Sequence, residues 1–418
     1  MRDSRGEKKH STNALVASPR PAGWVSSLPW APHGYLIVPA PGQWSACAHS
    51  VPLRPPPARE EGGIDVLPDA LLQYILSSLS ADEAVKSSVL SRRWRHLWKS
   101  TPTLRIVKTE DRWDWESFED FNRFVNILIL YRGSSPLSKF ELEFSSVGGY
   151  EFDLNSTIFR HVMMWIMYAL ICQVQVLKIH NFMFTQIEMD GSMPLVSQNL
   201  MKIELSGIVF GDCFLNFSSC PVLEHICFSE NCSFHNVKKI LSQSVKYLSF
   251  YLAEFCDHQR THIYAPNLIT LHLDILWGRV PFLESMPSLV AGFVRAQQDC
   301  DDHCSNCEKC KGCRGMIDET GNDSPKTVML LGGLLEANNL ELIAEPEMHI
   351  FRSDLRWCPL FSKLKSLLLN ESCVANNFWA LACILKQSPV VENFTLQISK
   401  DTKSMIETEE NYNGKEMA

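Results

Sequence analysis

The 418-residue chain has no excess of basic residues: 39 Lys and Arg stand against 47 Asp and Glu, a formal charge of -8. With a pI near 5.9 it lacks the basic face that general nucleic-acid binding requires. Long apolar runs are missing as well. The longest, Val162 to Cys172, falls well short of the roughly 20 residues that cross a bilayer, so it predicts a buried helix and no membrane segment. No stretch near the start joins a charged end to an apolar core of signal-peptide length. The 15 cysteines, spread along the chain, therefore read as reduced thiols of an intracellular protein, with nucleus and cytoplasm equally open. No G-x-x-x-x-G-K phosphate loop, H-E-x-x-H helix or G-x-S-x-G elbow occurs. Isolated histidines such as His180 and His349 read as surface or core residues, and the chain reads as non-catalytic.

An apolar content of 45% makes the chain globular and long enough for two or three units. Residues 1–62 hold no helical or strand period and are broken by Pro21, Pro29, Pro32, Pro39, Pro41, Pro52 and the triplet Pro55, Pro56, Pro57, which predicts a disordered leader. Asp3, Glu7, Glu60 and Glu61 argue against a transit peptide. From Ile64 the character changes. Leu67 and Pro68 open a helix whose Leu71, Leu72, Ile75, Leu76 and Leu79 share one stripe, with Asp69 at its favourable start. Ser80 and Glu83 have the spacing of a capping box for a second helix, buried through Ala84, Val85, Val89 and Leu90. Ser91 is placed to cap a third, with Trp94, Leu97 and Trp98 inward and Arg92, Arg93, Arg95 and Lys99 facing water. Three such short helices bury little by themselves, so the module should lean on a partner.

These residues carry a resemblance. Leu67-Pro68-Asp69, Ile75-Leu76, Ala84-Val85 and the run Ser88 to Arg95 followed by His96-Leu97-Trp98 resemble the F-box of the large plant F-box, leucine-rich-repeat and FBD family. The resemblance implies docking on a Skp-type adaptor and, through it, on the cullin and RING protein of a ubiquitin ligase. The adaptor contact is expected from Leu67, Pro68, Leu71, Ile75, Leu76, Val85, Val89, Leu90, Trp94 and Trp98, several of which must also hold the helices together.

Behind this module, eight windows of the form apolar-x-x-apolar-x-apolar start at Leu137, Val174, Leu200, Leu223, Val245, Leu268, Leu364 and Val391. A weaker one starts at Leu289, with Gly292 in its middle position. Between Leu200 and Leu289 the starts recur every 21 to 23 residues, inside the leucine-rich-repeat range. Each window suits a short parallel strand in a solenoid that presents an open strand face to a protein or peptide. Lys178, Lys202, Glu204, Glu224, His225 and His272 are candidates to line that face. The Asn or Cys expected three residues after each strand occurs only at Asn231, so the repeats should be irregular. Trp165, Ala169, Leu170 and Val174 to Leu177 are similar to the family's lead into its repeats, while Leu340 to Ala344 and Trp357 to Leu367 resemble its FBD-like C-terminal part.

Cys300, Cys304, Cys307, Cys310 and Cys313 crowd into 14 residues beside His303 and three aspartates. Zinc wants four soft ligands, and Cys304, Cys307, Cys310 and Cys313 are the candidate set. Structural sites usually hold their two C-x-x-C pairs a dozen or more residues apart, and a four-iron cluster would follow its last Cys with Pro where Arg314 stands. The segment therefore reads first as a reduced surface loop that needs no cofactor.

The expected fold is α/β: disordered leader 1–62, three-helix F-box 63–105, irregular leucine-rich-repeat solenoid 106–345 with a Cys-rich insertion at 297–325, FBD-like part 346–398 and polar tail 399–418. The expected function is substrate recognition for an SCF-type cullin ubiquitin ligase, with an unknown target protein on the repeats and neither nucleic acid nor membrane as partner. A scaffold that has left the ligase, or a zinc-binding protein, are the alternatives.

Overall fold

The computed structural model describes residues 64–108, 118–144, 155–182, 187–189, 195–211, 215–297, 330–345, 358–374 and 379–398. They belong to one compact unit that begins at Ile64. The predicted leader, the Cys-rich segment from residue 298 and the tail from 399 lie outside the described residues.

Three short helices lead: α1 (Asp69–Leu76), α2 (Ala81–Lys86) and α3 (Trp94–Leu97), the last two joined and followed by 3-10 turns at Ser87–Val89 and Trp98–Ser100. The capping box of α2 is closed, the Glu83 carboxylate accepting from the Ser80 amide at 3.1 Å and from its hydroxyl at 2.8 Å. Arg93, expected to face water, instead donates to Asp69 Oδ1 at 2.7 Å and to the Leu67 carbonyl at 2.5 Å. It thereby ties the third helix to the start of the first.

The chain then enters a parallel ladder. Its strands are β1 (Thr103–Lys108), β2 (Lys139–Phe144), β3 (Val176–Asn181), the short β4 (Ile187–Met189), β5 (Lys202–Ser206), β6 (Ile208–Phe210), β7 (His225–Phe228), β8 (Ser233–Phe234), β9 (Lys239–Leu241) and β10 (Tyr247–Phe255). It continues with β11 (His262–Tyr264), β12 (Thr270–Trp277), β13 (Phe282–Leu283), β14 (Ala291–Ala296), β15 (Asn339–Ala344), β16 (Ser366–Asn370) and β17 (Asn393–Gln397). Along the main sheet the order is β1-β2-β3-β5-β7-β10-β12-β14-β15-β16-β17, with β4, β6 and β8 alongside and β9, β11 and β13 in a second small sheet. Helices α4 (Phe118–Arg132) and α5 (Asn155–Ile171) connect the first rungs, and α6 (Glu371–Val374) and α7 (Trp379–Lys386) the last two.

The register explains the windows. One apolar column runs from Leu104 and Phe140 through every rung to Leu367 and Phe394. Its neighbour runs from Ile106 and Leu142 to Leu369 and Leu396. Alternation along a strand sends these side chains inward, where nearly all are buried, and leaves the residues between them on an open face. Each buried Leu or Ile is worth about 2 kcal/mol of apolar burial. The column ends partly open, with Phe394 of β17 39% exposed.

Two rungs escaped the window pattern and one weak window is a full rung. In β1 the first position is Thr101, buried with its hydroxyl donating to the Trp98 carbonyl at 3.0 Å. In β15 it is Ala337, buried but small. Gly292 holds its rung because Leu340 and Leu334 fill the space a side chain would take. The segment expected as an FBD-like part supplies β16 and β17 of the same ladder. Strands β14 and β15 are adjacent rungs although they lie far apart in the sequence.

The expected scarcity of the Asn ladder needs correction. Cys232 donates to the Leu205 carbonyl and Cys373 to that of Leu342, each four residues after its last column residue and each reaching the preceding rung. Asn370 pairs with both the amide and the carbonyl of Ala344, and Asn181 donates to the Gly207 carbonyl at 2.8 Å. The backbone is satisfied by Asn and Cys at shifted positions. Gly207, at φ +69°, is required there: a Cβ would come within 2.1 Å of the Asn181 carbonyl oxygen.

The apolar run at Val162–Cys172 lies largely in α5, whose Val162, Trp165, Ile166 and Ala169 are fully buried. Among the described residues no helix is long and apolar enough to cross a membrane.

Candidate functional site

Two surfaces stand out. The first is the outer side of the three-helix module. The expected single stripe on α1 splits in two: Leu72 and Leu76 point inward, while Leu71, Tyr74 and Ile75 point to solvent. Val89 and Leu90, predicted in the buried face of α2, also face water, because the chain leaves the α-helix at Ser87 and the 3-10 turn rotates them out. Together with Ile64 and Val66 they give seven large exposed apolar side chains within 27 residues, Tyr74 at 75% and Leu90 at 64%. Apolar exposure on this scale in so small a module is of the kind that marks an interaction surface.

The sequence-derived contact set divides on this surface. Leu71, Ile75, Val89 and Leu90 are outward, Pro68 is exposed, and Leu67 and Val85 are half-buried against the core. Leu76, Trp94 and Trp98 are buried, Trp94 only 3% exposed, and all three pack in the core that holds the helices together. Ile64, Val66 and Tyr74 are exposed as well and lie outside that set. Tyr74 sits three residues after Leu71 and next to Ile75, so a helical wheel drawn for the outer face would have found it.

The second surface is the open face of the ladder. At β1 to β5 it is a charged network. Arg105 meets Glu141 at 3.3 Å and Glu143 at 3.6 Å, Lys139 also pairs with Glu141, and Glu204 takes both Lys178 and Lys202, the latter at 2.6 Å. Burial works to raise the Glu204 carboxyl, but the two lysines hold it below the usual carboxylate range. Glu141 is held down in the same way against its own burial, by Lys139, Arg105 and Lys178. Glu224 pairs with Lys246 at 2.6 Å at the edge of the strands.

From β7 to β14 the charges give way to rings. His225 lies flat on Tyr247 with centroids 4.4 Å apart, and His272 is held between Tyr251 at 4.5 Å and Phe293 at 4.3 Å. Burial pushes both imidazoles below the ordinary histidine range. Asp274, itself buried, is gripped by Arg295 through two nitrogens and by Gln297 at 3.0 Å. All six face candidates from the sequence, Lys178, Lys202, Glu204, Glu224, His225 and His272, lie on or beside this face, and most of their charges are already paired. Tyr247 and Phe293 were passed over because they occupy the alternate strand positions of windows read only for their buried residues, and Tyr251 because it lies one residue past its window.

The zinc candidates Cys304, Cys307, Cys310 and Cys313 lie outside the described residues. Among the described residues no group of three or more His, Cys, Asp or Glu is arranged to hold a metal ion.

Comparison with known proteins matches the F-box domain to residues 64–105. The chain is 40% identical over 91 residues to F-box/LRR-repeat protein 13 of Arabidopsis thaliana, a match covering 22% of this chain and 19% of that protein. A putative FBD-associated F-box protein of the same plant is 28% identical over 215 residues, covering 50% of this chain and 49% of the relative. An F-box/FBD/LRR-repeat protein is 26% identical over 249 residues, 51% of this chain and 52% of the relative. The chain thus spans about half the length, or less, of these relatives. The F-box domain and the names of these relatives, joined to a helical module that opens onto a repeat ladder, support a plant F-box/LRR/FBD family protein.

Proposed function

We propose that the chain is the substrate-recognition subunit of an SCF-type cullin ubiquitin ligase. The helical module docks on a Skp-type adaptor, which links to cullin and a RING protein, while the open face of the ladder holds a target. The mechanism is proximity: the target's lysines meet a separate conjugating enzyme at high effective concentration, and the chain performs no covalent step. The reading needs no cofactor and operates in nucleus or cytoplasm.

The observation that carries it is the set of exposed apolar side chains, Leu71, Tyr74, Ile75, Val89 and Leu90, on the segment matched as an F-box. Capture of the full chain by a purified Skp-type adaptor tests it. The wild type is expected to bind, and Leu71→Asp with Leu90→Asp is expected to weaken binding on the order of a hundredfold or more, since central apolar anchors are worth about 2 kcal/mol each. Both positions are exposed, so the variant should keep its circular dichroism spectrum. No capture of the wild type would leave a repeat scaffold outside the ligase as the reading.

A further inference from the structure

Between α4 and α5 a file of polar side chains crosses a contact built of Phe118, Phe121 and Trp165. Trp165 is fully buried, and its indole N–H donates to Asn126 Oδ1 at 3.1 Å. Asn126 in turn donates through Nδ2 to Asn122 Oδ1 at 3.0 Å. The Asn122 amide is left with its nitrogen toward His161 Nε2, also at 3.0 Å. The imidazole lies over the Trp165 indole, centroids 6.2 Å apart, and meets Phe118 at 6.5 Å. Phe118, Asn122 and Asn126 belong to α4, His161 and Trp165 to α5, so the file ties one helix to the other.

An indole nitrogen only donates, whereas an amide can turn over and a histidine can change its protonation. Trp165 therefore requires an oxygen from Asn126, Asn126 then offers its nitrogen to Asn122, and Asn122 has only its nitrogen left for His161. Nε2 must be the acceptor, and the folded imidazole is neutral with its hydrogen on Nδ1. A proton on Nε2 sets N–H against N–H, and turning the amides brings no relief. If Asn122 turns, Asn126 must turn as well, which points a second nitrogen at the Trp165 donor. The charged groups on the elements around His161 are engaged elsewhere or in water: Asp120 of α4 pairs with Arg123 at 3.2 Å, while Glu119 of α4, Arg160 of α5 and Glu188 of β4, which packs on α5, are exposed. Burial pushes the imidazole below the ordinary histidine range.

From this file we infer that His161 is an acid-sensitive latch: protonation at Nε2 breaks its bond to Asn122 and drives the half-buried ring away from Trp165 and Phe118, loosening α4 from α5. The effect reaches the helical module, because α4 packs on the turn at Trp98–Ser100 and its Tyr131 ring lies against the Lys99 ammonium, 5.5 Å from the centroid. A histidine held neutral in the folded chain takes its proton more readily when unfolded. Its contribution is therefore whole above the unfolded value of about 6.5 and is lost as pH falls through the lower folded value. The inference stands independently of the ligase reading.

Thermal melting of the full chain and of His161→Gln from pH 7.5 to 5 tests it, since glutamine presents an accepting oxygen to Asn122 and does not titrate. The difference in melting temperature is expected to move in the variant's favour by about 2 °C or more over that range, while the other histidines are common to both proteins. A difference that stays constant with pH would overturn the inference. The second readout is the titration of His161 itself, followed by the imidazole NMR signal that His161→Gln removes. It should lie below the ordinary histidine value in the wild type. In Asn126→Leu, which frees Asn122 to turn without touching His161, it should rise by about half a pH unit or more, the worth of one neutral hydrogen bond. Wild-type titration at or above the ordinary value, or a titration that Asn126→Leu leaves in place, also overturns it. If the leucine variant fails to fold, the wild-type titration and the glutamine comparison decide.

Discussion

At the scale of single residues the least expected one is Arg132. It ends α4 with 3% of its surface exposed, and among the described residues no carboxylate is its partner. Instead its guanidinium donates to the carbonyls of Ser135 at 2.7 Å, Thr101 at 2.9 Å and Pro136 at 3.2 Å, and to the Tyr168 hydroxyl at 3.1 Å. Burial, opposed by this arginine, pushes the Tyr168 hydroxyl up to about 12. Replacing the side chain by an apolar one strands the buried Thr101 carbonyl and three part-buried acceptors, each costing about 1 kcal/mol. Arg132→Leu should therefore lose about 3 kcal/mol or more in chemical denaturation; a loss under 1 kcal/mol would mean water replaces the guanidinium. Nothing in the sequence marked this role, since an arginine at a helix C-terminus ordinarily faces solvent and complements the helix dipole. Arg93, tied to Asp69, was misread as solvated for the same reason. Long side chains choose partners that are distant in sequence, and spacing within one helix does not reveal them.

Elements were far more legible, because a strand's inward positions repeat every second residue and a buried column punishes any polar intruder. The eight windows and the weak one each correspond to a rung, with their central residues in the observed columns. What stayed hidden was the inner layer. Phe234 of β8 packs 5.1 Å from Phe228, 5.4 Å from Phe250 and 5.1 Å from Phe255, though no window contained it. Two-residue strands such as β8 are too short to show a period. Phe234→Ala should cost about 4 kcal/mol and lower the melting temperature, whereas Tyr251→Ala on the open face should change it little; equal effects would deny the cluster its central place. The charged end of the ladder supports a pH prediction. Glu141 and Glu204 titrate below their ordinary range when folded, so their stabilisation is present above the unfolded carboxylate value of about 4.3 and fades as pH falls through the lower folded value. The melting-temperature gap between wild type and Glu204→Gln should thus be widest above pH 5 and close toward pH 3. Parallel curves would show that the network contributes nothing.

For the whole molecule the question is whether the F-box is an appendage or part of the ladder. Its last 3-10 turn ends at Ser100, and the first rung starts three residues later at Thr103, before the F-box match itself ends at residue 105. Helix α2 packs on β1 and α4 packs on the turn at Trp98–Ser100, while Arg132 holds the Thr101 carbonyl from the other side. The sequence reading divided the chain into consecutive units at residue 105, but such a division does not report which surfaces meet. Helices of 8, 6 and 4 residues bury too little to stand alone, so their stability is borrowed from the first rungs. In the proposed ligase reading, a join of this kind would fix how far and in which direction a target on the open face sits from the adaptor, which a flexible tether would not. Calorimetry of the full chain should show the helices and the ladder melting together. Inserting eight Gly and Ser residues between Ser100 and Thr101 should split off an earlier transition and weaken adaptor capture, because the module must then pay its own ordering entropy before it binds. If the insertion leaves one transition and full adaptor affinity, the F-box is self-sufficient and the packing at β1 sets no geometry.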